Sequence, residues 1–142
     1  MHLSTFHETL PKWDDDKARV LGGAAPGSLP PMHYDFGDLL PGEWLRVQSG
    51  DHVVGYGWLE LSWGEAEILL AVDPSARRNG VGAYILDALA RETAQRGSQY
   101  MFNAVREGHP DAEGLSRWLR AHGFEPAGDG TLRRRVPHTP AP

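Results

Sequence analysis

A short segment rich in arginine and glycine, Arg77-Arg78-Asn79-Gly80-Val81-Gly82, lies near the middle of the chain. It follows an apolar stretch at residues 68–72 and precedes a predicted helix that begins near Val81. Glycines let a backbone turn tightly and approach a ligand closely. The N–H groups at a helix N-terminus are unpaired and partly positive, and arginine offers forked donors to phosphate oxygens. The segment therefore predicts a binding turn for pyrophosphate.

The glycine spacing of this turn distinguishes it from two well-known nucleotide-binding loops. It lacks the Lys-Ser/Thr pair that ends G-x-x-x-x-G-K-[ST], and it lacks the three glycines of G-x-G-x-x-G. It does match the pattern [Q/R]-x-x-G-x-[G/A], with Arg77, Gly80 and Gly82 at the three fixed positions. The turn therefore predicts a phosphate site of a different class from these two loops.

The length and charge of the chain narrow the choice of partner. Its 142 residues predict one domain over residues 1–136, followed by a disordered tail at 137–142. A formal net charge of −5 and a pI of about 5.7 argue against nucleic acid, which usually needs a basic face. No apolar run is long enough to cross a bilayer, and the N-terminus lacks the pattern of a signal peptide. We therefore expect a cytoplasmic protein with no nucleic acid or membrane partner.

The chain contains no cysteine. Disulfides, thiolate metal sites and a cysteine acyl-enzyme are therefore excluded. Its histidines show no spacing that is typical of a metal site, so we expect no metal. Any acyl transfer would have to be direct or use another nucleophile.

Strands and helices follow one another around the turn in a pattern that predicts a mixed sheet. β-Branched and aromatic residues predict strands at residues 44–48, 53–61, 65–72 and 100–105. Short turns join the first three into an antiparallel meander, whereas a strand–helix–strand passage implies a parallel pair. Helices are predicted at 81–96 and 111–122, and a closing hairpin at 124–127 and 131–136. Gly55 and Gly57 inside the second strand predict a bulge or a close approach of the backbone.

The first third of the chain carries weaker signals. Residues 1–12 fit an edge strand or an arm, and Asp14-Asp15-Asp16 marks a helix start because acidic residues favour the first turn. Residues 22–42 are rich in glycine and proline and predict a long loop that could line a substrate site. Three tryptophans are further candidates for a substrate pocket, with core packing expected for at least two of them: Trp44, Trp58 and Trp63.

Several features together resemble the GNAT superfamily of acetyl-CoA-dependent N-acetyltransferases. The pyrophosphate turn has that family's form, and Val72-Asp73-Pro74 is similar to the junction between its strand 4 and helix 3. The segment from Trp118 to Phe124 is similar to the end of its helix 4, which Gly-Phe closes. The resemblance implies an α/β (α+β) GNAT fold. Such a fold has a central mixed, mostly antiparallel sheet of about six to seven strands, a splayed parallel strand pair and helices on both faces.

The resemblance also implies that acetyl-CoA is the co-substrate and binds where the parallel strands separate. Its pantetheine arm would pair with backbone groups near Leu70, Ala71 and Val72. The thioester carbonyl would accept an N–H near Leu70, an oxyanion site made by the strand itself. The pyrophosphate would contact the residues of the turn and the helix start: Arg77, Arg78, Asn79, Gly80, Val81, Gly82 and Ala83.

The candidate catalytic residues depart from a common family pattern at one position. Many members use a tyrosine four residues before the glycine of Gly-Phe, and here that position is Leu119. Histone acetyltransferases instead place a glutamate base in an Ala-Glu-Ile strand start, which Ala66-Glu67-Ile68 resembles. Glu67 is therefore the candidate base, with Glu65 as the alternative on the same strand face. Two residues near the expected thiolate exit could donate or relay a proton: Asn103 and His109.

These features predict an N-acetyltransferase that moves acetyl from acetyl-CoA to the primary amine of a small molecule, by direct transfer in a ternary complex. Two alternatives remain open. A non-catalytic acetyl-CoA-binding regulator of a partner enzyme would explain Leu119, and a protein or peptide N-acetyltransferase would explain the likeness around Glu67. The sequence does not name the acceptor, and a homodimer is compatible with each reading.

Overall fold

The computed structural model describes residues 2–136, which form a seven-stranded sheet and three α-helices. The tail expected at residues 137–142 lies outside the described residues. The strands are β1 (Leu3–Glu8), β2 (Glu43–Ser49), β3 (His52–Ser62), β4 (Glu65–Val72), β5 (Tyr100–Asn103), β6 (Glu125–Pro126) and β7 (Leu132–Arg135). The helices are α1 (Asp15–Gly22), α2 (Val81–Gln95) and α3 (Ala112–Ala121), and a 3-10 turn spans Pro74–Ala76.

The strands lie in the order β1-β2-β3-β4-β5-β7-β6 across the sheet. Within the described chain every neighbouring pair is antiparallel except β4 and β5, which are parallel. A parallel pair needs a crossover connection, and α2 supplies it. The predicted mixed, mostly antiparallel sheet is therefore confirmed.

Helices cover both faces of the sheet. Ile85 of α2 and Leu119 of α3 pack in a large core that includes Leu45 of β2. Val20 of α1 packs in a smaller cluster that includes Trp44, the residue before Leu45. Successive residues of a strand point to opposite faces, so α1 lies on one side of the sheet and α2 and α3 on the other.

Helix α2 lies very close to β3 at Gly55 and Gly57. A Cβ atom on Gly55 would be 2.8 Å from Ile85 Cδ1, and one on Gly57 would be 2.9 Å from Ile85 Cγ2. The register between β2 and β3 also shifts between Val47 and Gln48. The close approach and the strand irregularity predicted from these glycines are both confirmed. Only a residue without a Cβ atom leaves room for α2 at these two positions.

The ends of the elements refine the sequence-based boundaries. The first residues form the edge strand β1, and α1 begins after Asp14, whose carboxylate accepts the Lys17 N–H at 2.8 Å. Strand β5 ends at Asn103, two residues before the predicted end. The prediction was wrong there because pairing stops early, at Glu67 in β4 and at Leu132 in β7.

Candidate active site

The parallel strands β4 and β5 separate at a defined point. Their backbones pair as far as Glu67 and Phe102. One residue further along each strand, the Asn103 side-chain nitrogen Nδ2 donates a hydrogen bond to the Ile68 carbonyl oxygen at 2.9 Å. Beyond this bond the strands diverge, and the second half of β4 faces an open cleft.

This cleft has a volume of about 620 Å³ and runs from β4 to the N-terminus of α2. Asn79, a predicted cofactor contact, lies in the turn but does not line the cleft. The structure brings the other predicted contacts together along it: Leu70, Ala71, Val72, Arg77, Arg78, Gly80, Val81, Gly82 and Ala83.

The turn before α2 leaves backbone N–H groups available to a ligand. Gly80 is the N-cap residue, with a left-handed φ of 77°, and Arg78 has a φ of 68°. Within residues 2–136 no side chain caps this helix, and its first backbone hydrogen bond runs from the Tyr84 N–H to the Gly80 carbonyl at 3.1 Å. The N–H groups of the first turn therefore lack intrahelical partners, and the helix end is electropositive. Such an end suits an anionic group.

The two arginines of the turn differ in their contacts. Arg77 Nη2 donates to the Gly23 carbonyl at 3.1 Å and thereby ties the turn to the end of α1. Close by, Arg19 of α1 forms an ion pair with the buried carboxylate of Asp73. Arg78 is exposed and takes part in none of the side-chain hydrogen bonds or ion pairs found among the described residues. Its guanidinium is therefore available to a phosphate group.

The residues that line the cleft but were not predicted from the sequence include two with aromatic rings and one arginine. Trp118 of α3 and His122, the C-cap residue of that helix, line the cleft with ring centroids 4.6 Å apart. A Cβ atom on Gly82 would be 3.1 Å from Trp118 Cζ2. Arg106 follows β5 and also lines the cleft, and its Nε is buried without a hydrogen-bond partner among residues 2–136. The four-residue spacing of Trp118 and His122 does place them on one helix face.

The two candidate bases lie in different surroundings. Glu67 lines a cavity of about 450 Å³ that shares Leu69 and Asn103 with the cleft. Glu65 lies at the start of β4, where its carboxylate forms an ion pair with Arg133 at 2.8 Å. Glu67 therefore adjoins the cleft, whereas Glu65 is engaged at the other end of the strand.

The candidate proton donors, Asn103 and His109, both line the cleft. The Asn103 amide is engaged with Ile68, and its Oδ1 is buried without a hydrogen-bond partner in the described part of the chain. His109 Nδ1 accepts the Asp111 N–H at 2.9 Å, so a neutral His109 ring carries its proton on Nε2. Leu119 adjoins the cleft but is only 2% exposed and packs in the large core.

Two of the three candidate tryptophans line a further cavity of about 220 Å³, which we call the aromatic cavity. It lies on the α1 side of the sheet and is lined by Trp44 and Trp58. Trp44 is also part of the smaller core cluster, against which Trp58 packs. Trp63 lies fully exposed in the turn between β3 and β4, so it does not contribute to a pocket.

One group of side chains within residues 2–136 has the spacing of metal ligands: His7, Glu43 and Glu92. Arg96 forms ion pairs with both carboxylates, so this acidic pair already has a cation from the protein. None of the described helices has the length and apolar character needed to cross a membrane.

A model of the acetyltransferase (GNAT) family matches residues 9–124 of the chain. None of the curated protein sequences compared with the chain matches it. Among solved structures, N-acetylglutamate synthase from Neisseria gonorrhoeae, in complex with coenzyme A and L-arginine, is similar with a TM-score of 0.70 and 16% identity. That match covers 94% of this chain and 33% of the synthase chain.

Two further similar structures also contain the cofactor. The E. coli protein YhhK, a candidate N-acetyl transferase bound to coenzyme A, has a TM-score of 0.67 and 21% identity over 95% of this chain and 99% of its own. The candidate acetyltransferase yncA from Salmonella typhimurium, with acetyl-CoA, has a TM-score of 0.56 and 18% identity over 71% of this chain and 68% of its own. Because these three identities lie between 16% and 21%, the similarity supports the fold alone.

Proposed function

The chain belongs to the acetyltransferase (GNAT) family, and we propose that it transfers acetyl from acetyl-CoA to the primary amine of a small molecule. The observation that carries this proposal is the cleft between the splayed strands, which ends at an uncapped helix N-terminus. We propose direct transfer within a ternary complex of enzyme, acetyl-CoA and amine, because the chain has no cysteine that could form an acyl-enzyme.

The residues present fit an anionic cofactor that supplies an activated acetyl group. Backbone groups of Leu70, Ala71 and Val72 would hold the pantetheine arm along β4. The turn at residues 77–83 would hold the pyrophosphate, with Arg78 and the uncapped N–H groups of α2 as donors. A backbone N–H near Leu70 would stabilise the oxyanion that develops on the thioester carbonyl.

We assign the role of general base to Glu67. In the reaction the amine nitrogen forms a bond to the thioester carbonyl carbon, the carbon–sulfur bond breaks, and the nitrogen loses one proton. The Glu67 cavity adjoins the cleft through Leu69, so its carboxylate can take up that proton directly or through one water. Glu65 fits this role less well, because its carboxylate is paired with Arg133.

The departing sulfur gains one proton, and the proposed donor is His109 through its Nε2–H. We propose that Asn103 acts as a positioning residue, because its amide already holds the Ile68 carbonyl. A thiol has an ordinary pKa of about 8.5, so a thiolate can also leave without complete protonation. Catalysis is therefore compatible with Leu119 at the family's tyrosine position.

A regulator that binds acetyl-CoA without catalysis is the alternative that Leu119 favours.

A protein acceptor fits less well than a small molecule. Loop residues Leu29 and Pro30 line the aromatic cavity beside β4, so the space there is a small pocket. A cytoplasmic location and a homodimer stay predictions.

Turnover of acetyl-CoA with a panel of primary amines tests the proposal, with acetyl-CoA binding measured by calorimetry on the same preparation. We expect binding together with amine-dependent release of coenzyme A, and an acetylated amine identified by mass spectrometry. Tight binding without acetylation of any amine would support the regulator. A folded protein that does not bind acetyl-CoA would contradict both readings.

A further inference from the structure

The aromatic cavity has walls without charge. It lies between α1, the loop that follows α1 and the face of the sheet that α1 covers. Its lining includes Leu21, Met32, Tyr34 and Tyr56 besides the two tryptophans. Among residues 2–136, none of those that line it is charged. A charged group inside it would have no counter-ion from the wall.

The aromatic cavity adjoins the cofactor cleft and shares wall residues with it. Both are lined by Leu29, Leu70 and Ala71, the last two of which belong to the part of β4 that would hold the acetyl end of the cofactor. Leu69 lines the cleft, the aromatic cavity and the cavity that contains Glu67. An amine nitrogen near Leu69 could therefore reach both the thioester and the base while the rest of the molecule lies in the aromatic cavity.

The polar groups of both tryptophans and of Tyr56 in the wall are already engaged or buried. The indole N–H groups of Trp44 and Trp58 both donate to the Pro41 carbonyl, at 3.0 and 3.2 Å. The Tyr56 hydroxyl is buried and has no hydrogen-bond partner among the described residues. Burial, and then the nearby carboxylate of Asp14, raise the pKa of Tyr56, so its hydroxyl stays neutral. The wall therefore offers mainly apolar and aromatic surface.

We infer that the acceptor is a primary amine joined to an uncharged aromatic or branched apolar group, which the aromatic cavity holds. The inference rests on the proposed function and names its substrate class. A dry cavity of about 150 Å³ is enough to bind benzene. A volume of about 220 Å³ therefore suits one aromatic ring with a short linker to the amine. Diamines and amino acids with a charged side chain would lose hydration there without gaining a partner.

The substitution Met32→Glu tests this inference, because Met32 lines the aromatic cavity and does not line the cofactor cleft. His33→Glu is the matched control, since it adds the same charge at the next position, which is exposed and lines neither. The value of kcat/KM is measured for 2-phenylethylamine and for 1,4-diaminobutane in the natural protein and both variants. Calorimetry with acetyl-CoA accompanies each measurement.

We expect the natural protein to prefer 2-phenylethylamine by about 10- to 200-fold, the range over which apolar pockets discriminate. Met32→Glu should lower kcat/KM for 2-phenylethylamine at least about 10-fold and abolish or reverse the preference. His33→Glu should leave both kcat/KM and the preference for 2-phenylethylamine unchanged. Acetyl-CoA affinity should be the same in all three proteins. A natural preference for 1,4-diaminobutane, or an equal loss in both variants, would overturn the inference while acetyl transfer itself stood.

A longer acyl chain of the donor is the competing occupant of the aromatic cavity. If hexanoyl-CoA were a better donor than acetyl-CoA, and Met32→Glu impaired only hexanoyl transfer, the cavity would hold the acyl chain and the inference would be wrong. Failure of the proposed function would differ from both results. In that case all three proteins would bind acetyl-CoA but none would acetylate any amine. Both the proposed function and the inference about its substrate would then be wrong.

Discussion

The side chain of Asn103 holds the backbone of Ile68 at the point where β4 and β5 separate, with Asn103 Nδ2 2.9 Å from the Ile68 carbonyl oxygen. The last backbone pair of the two strands, Glu67 with Phe102, lies directly before it. A side-chain amide thus replaces the next bond of the ladder. This contact fixes where the sheet opens and therefore where the cleft begins.

Replacing Asn103 with leucine should weaken both stability and cofactor binding. The change removes the donor and leaves the Ile68 carbonyl without it, which costs about 1–3 kcal/mol in the free energy of unfolding. Asn103→Asp should cost more, because a carboxylate repels the carbonyl oxygen. Urea unfolding and calorimetry with acetyl-CoA measure the two effects. Natural stability and affinity in both variants would contradict a role for this contact in shaping the cleft.

Glu67→Gln should lower kcat by about 10²- to 10⁴-fold, the usual contribution of a general base. Acetyl-CoA affinity should hardly change, since Glu67 lines the neighbouring cavity and does not line the cleft. Glu65→Gln is the matched control on the same strand and should retain turnover. Loss of turnover in Glu65→Gln with retention in Glu67→Gln would move the base to Glu65.

Lys17→Met should destabilise the protein by about 1–3 kcal/mol, because Glu8 Oε1 and the Lys12 carbonyl lose their donor while Glu8 keeps its ion pair with Arg46. Lys17 is 1% exposed, and its Nζ lies 2.7 Å from Glu8 Oε1 and 2.8 Å from the Lys12 carbonyl. Thermal and urea unfolding provide the measurement. Lys12→Met, at an exposed position, should change stability by less than about 0.5 kcal/mol. Equal stability of the two variants would show that the buried pair contributes little.

Leu119→Tyr should raise turnover little or not at all. Leu119 is 2% exposed in the large core, so a tyrosine there overpacks the core and costs about 1–3 kcal/mol of stability. The rate should be expressed per molecule that binds acetyl-CoA, which separates loss of fold from loss of chemistry. A rise of more than about tenfold would show that the enzyme lacks an acid that tyrosine restores.

The turn at residues 77–82 and the strands before it were predictable from local sequence. Strand periodicity, short turns and the glycine pattern depend only on residues that are close together in the sequence. Gly80 reports a left-handed backbone, which glycine adopts most readily, and Gly55 reports close packing, because a Cβ atom there would lie 2.8 Å from Ile85 Cδ1. Arg78 could not be recognised as left-handed, because nothing in its side chain indicates a φ of 68°.

The rest of the site depends on contacts between distant segments. The end of β5 is set by the divergence of β4 and β5 at Asn103, and no residue of β5 alone encodes it. Helical spacing predicts that Trp118 and His122 share a face, but docking of α3 decides that this face meets the cleft. The sequence predicted that the loop at residues 22–42 could line a substrate site, but the loop has no periodicity, so the residues that face the aromatic cavity emerged only from the fold.

The central claim is that acetyl-CoA binds at the N-terminus of α2, and calorimetry with Gly80→Glu tests it most directly. Gly130, in the turn between β6 and β7, resembles Gly80 in backbone conformation, since their φ angles are 87° and 77°. A Cβ atom at either position would have no other atom within 4 Å. Gly130→Glu is therefore a control with the same charge and similar strain, roughly 1–2 kcal/mol. We predict that Gly80→Glu abolishes acetyl-CoA binding, because a carboxylate would repel the pyrophosphate, while Gly130→Glu binds normally. Unchanged acetyl-CoA affinity in a folded Gly80→Glu variant would contradict the account.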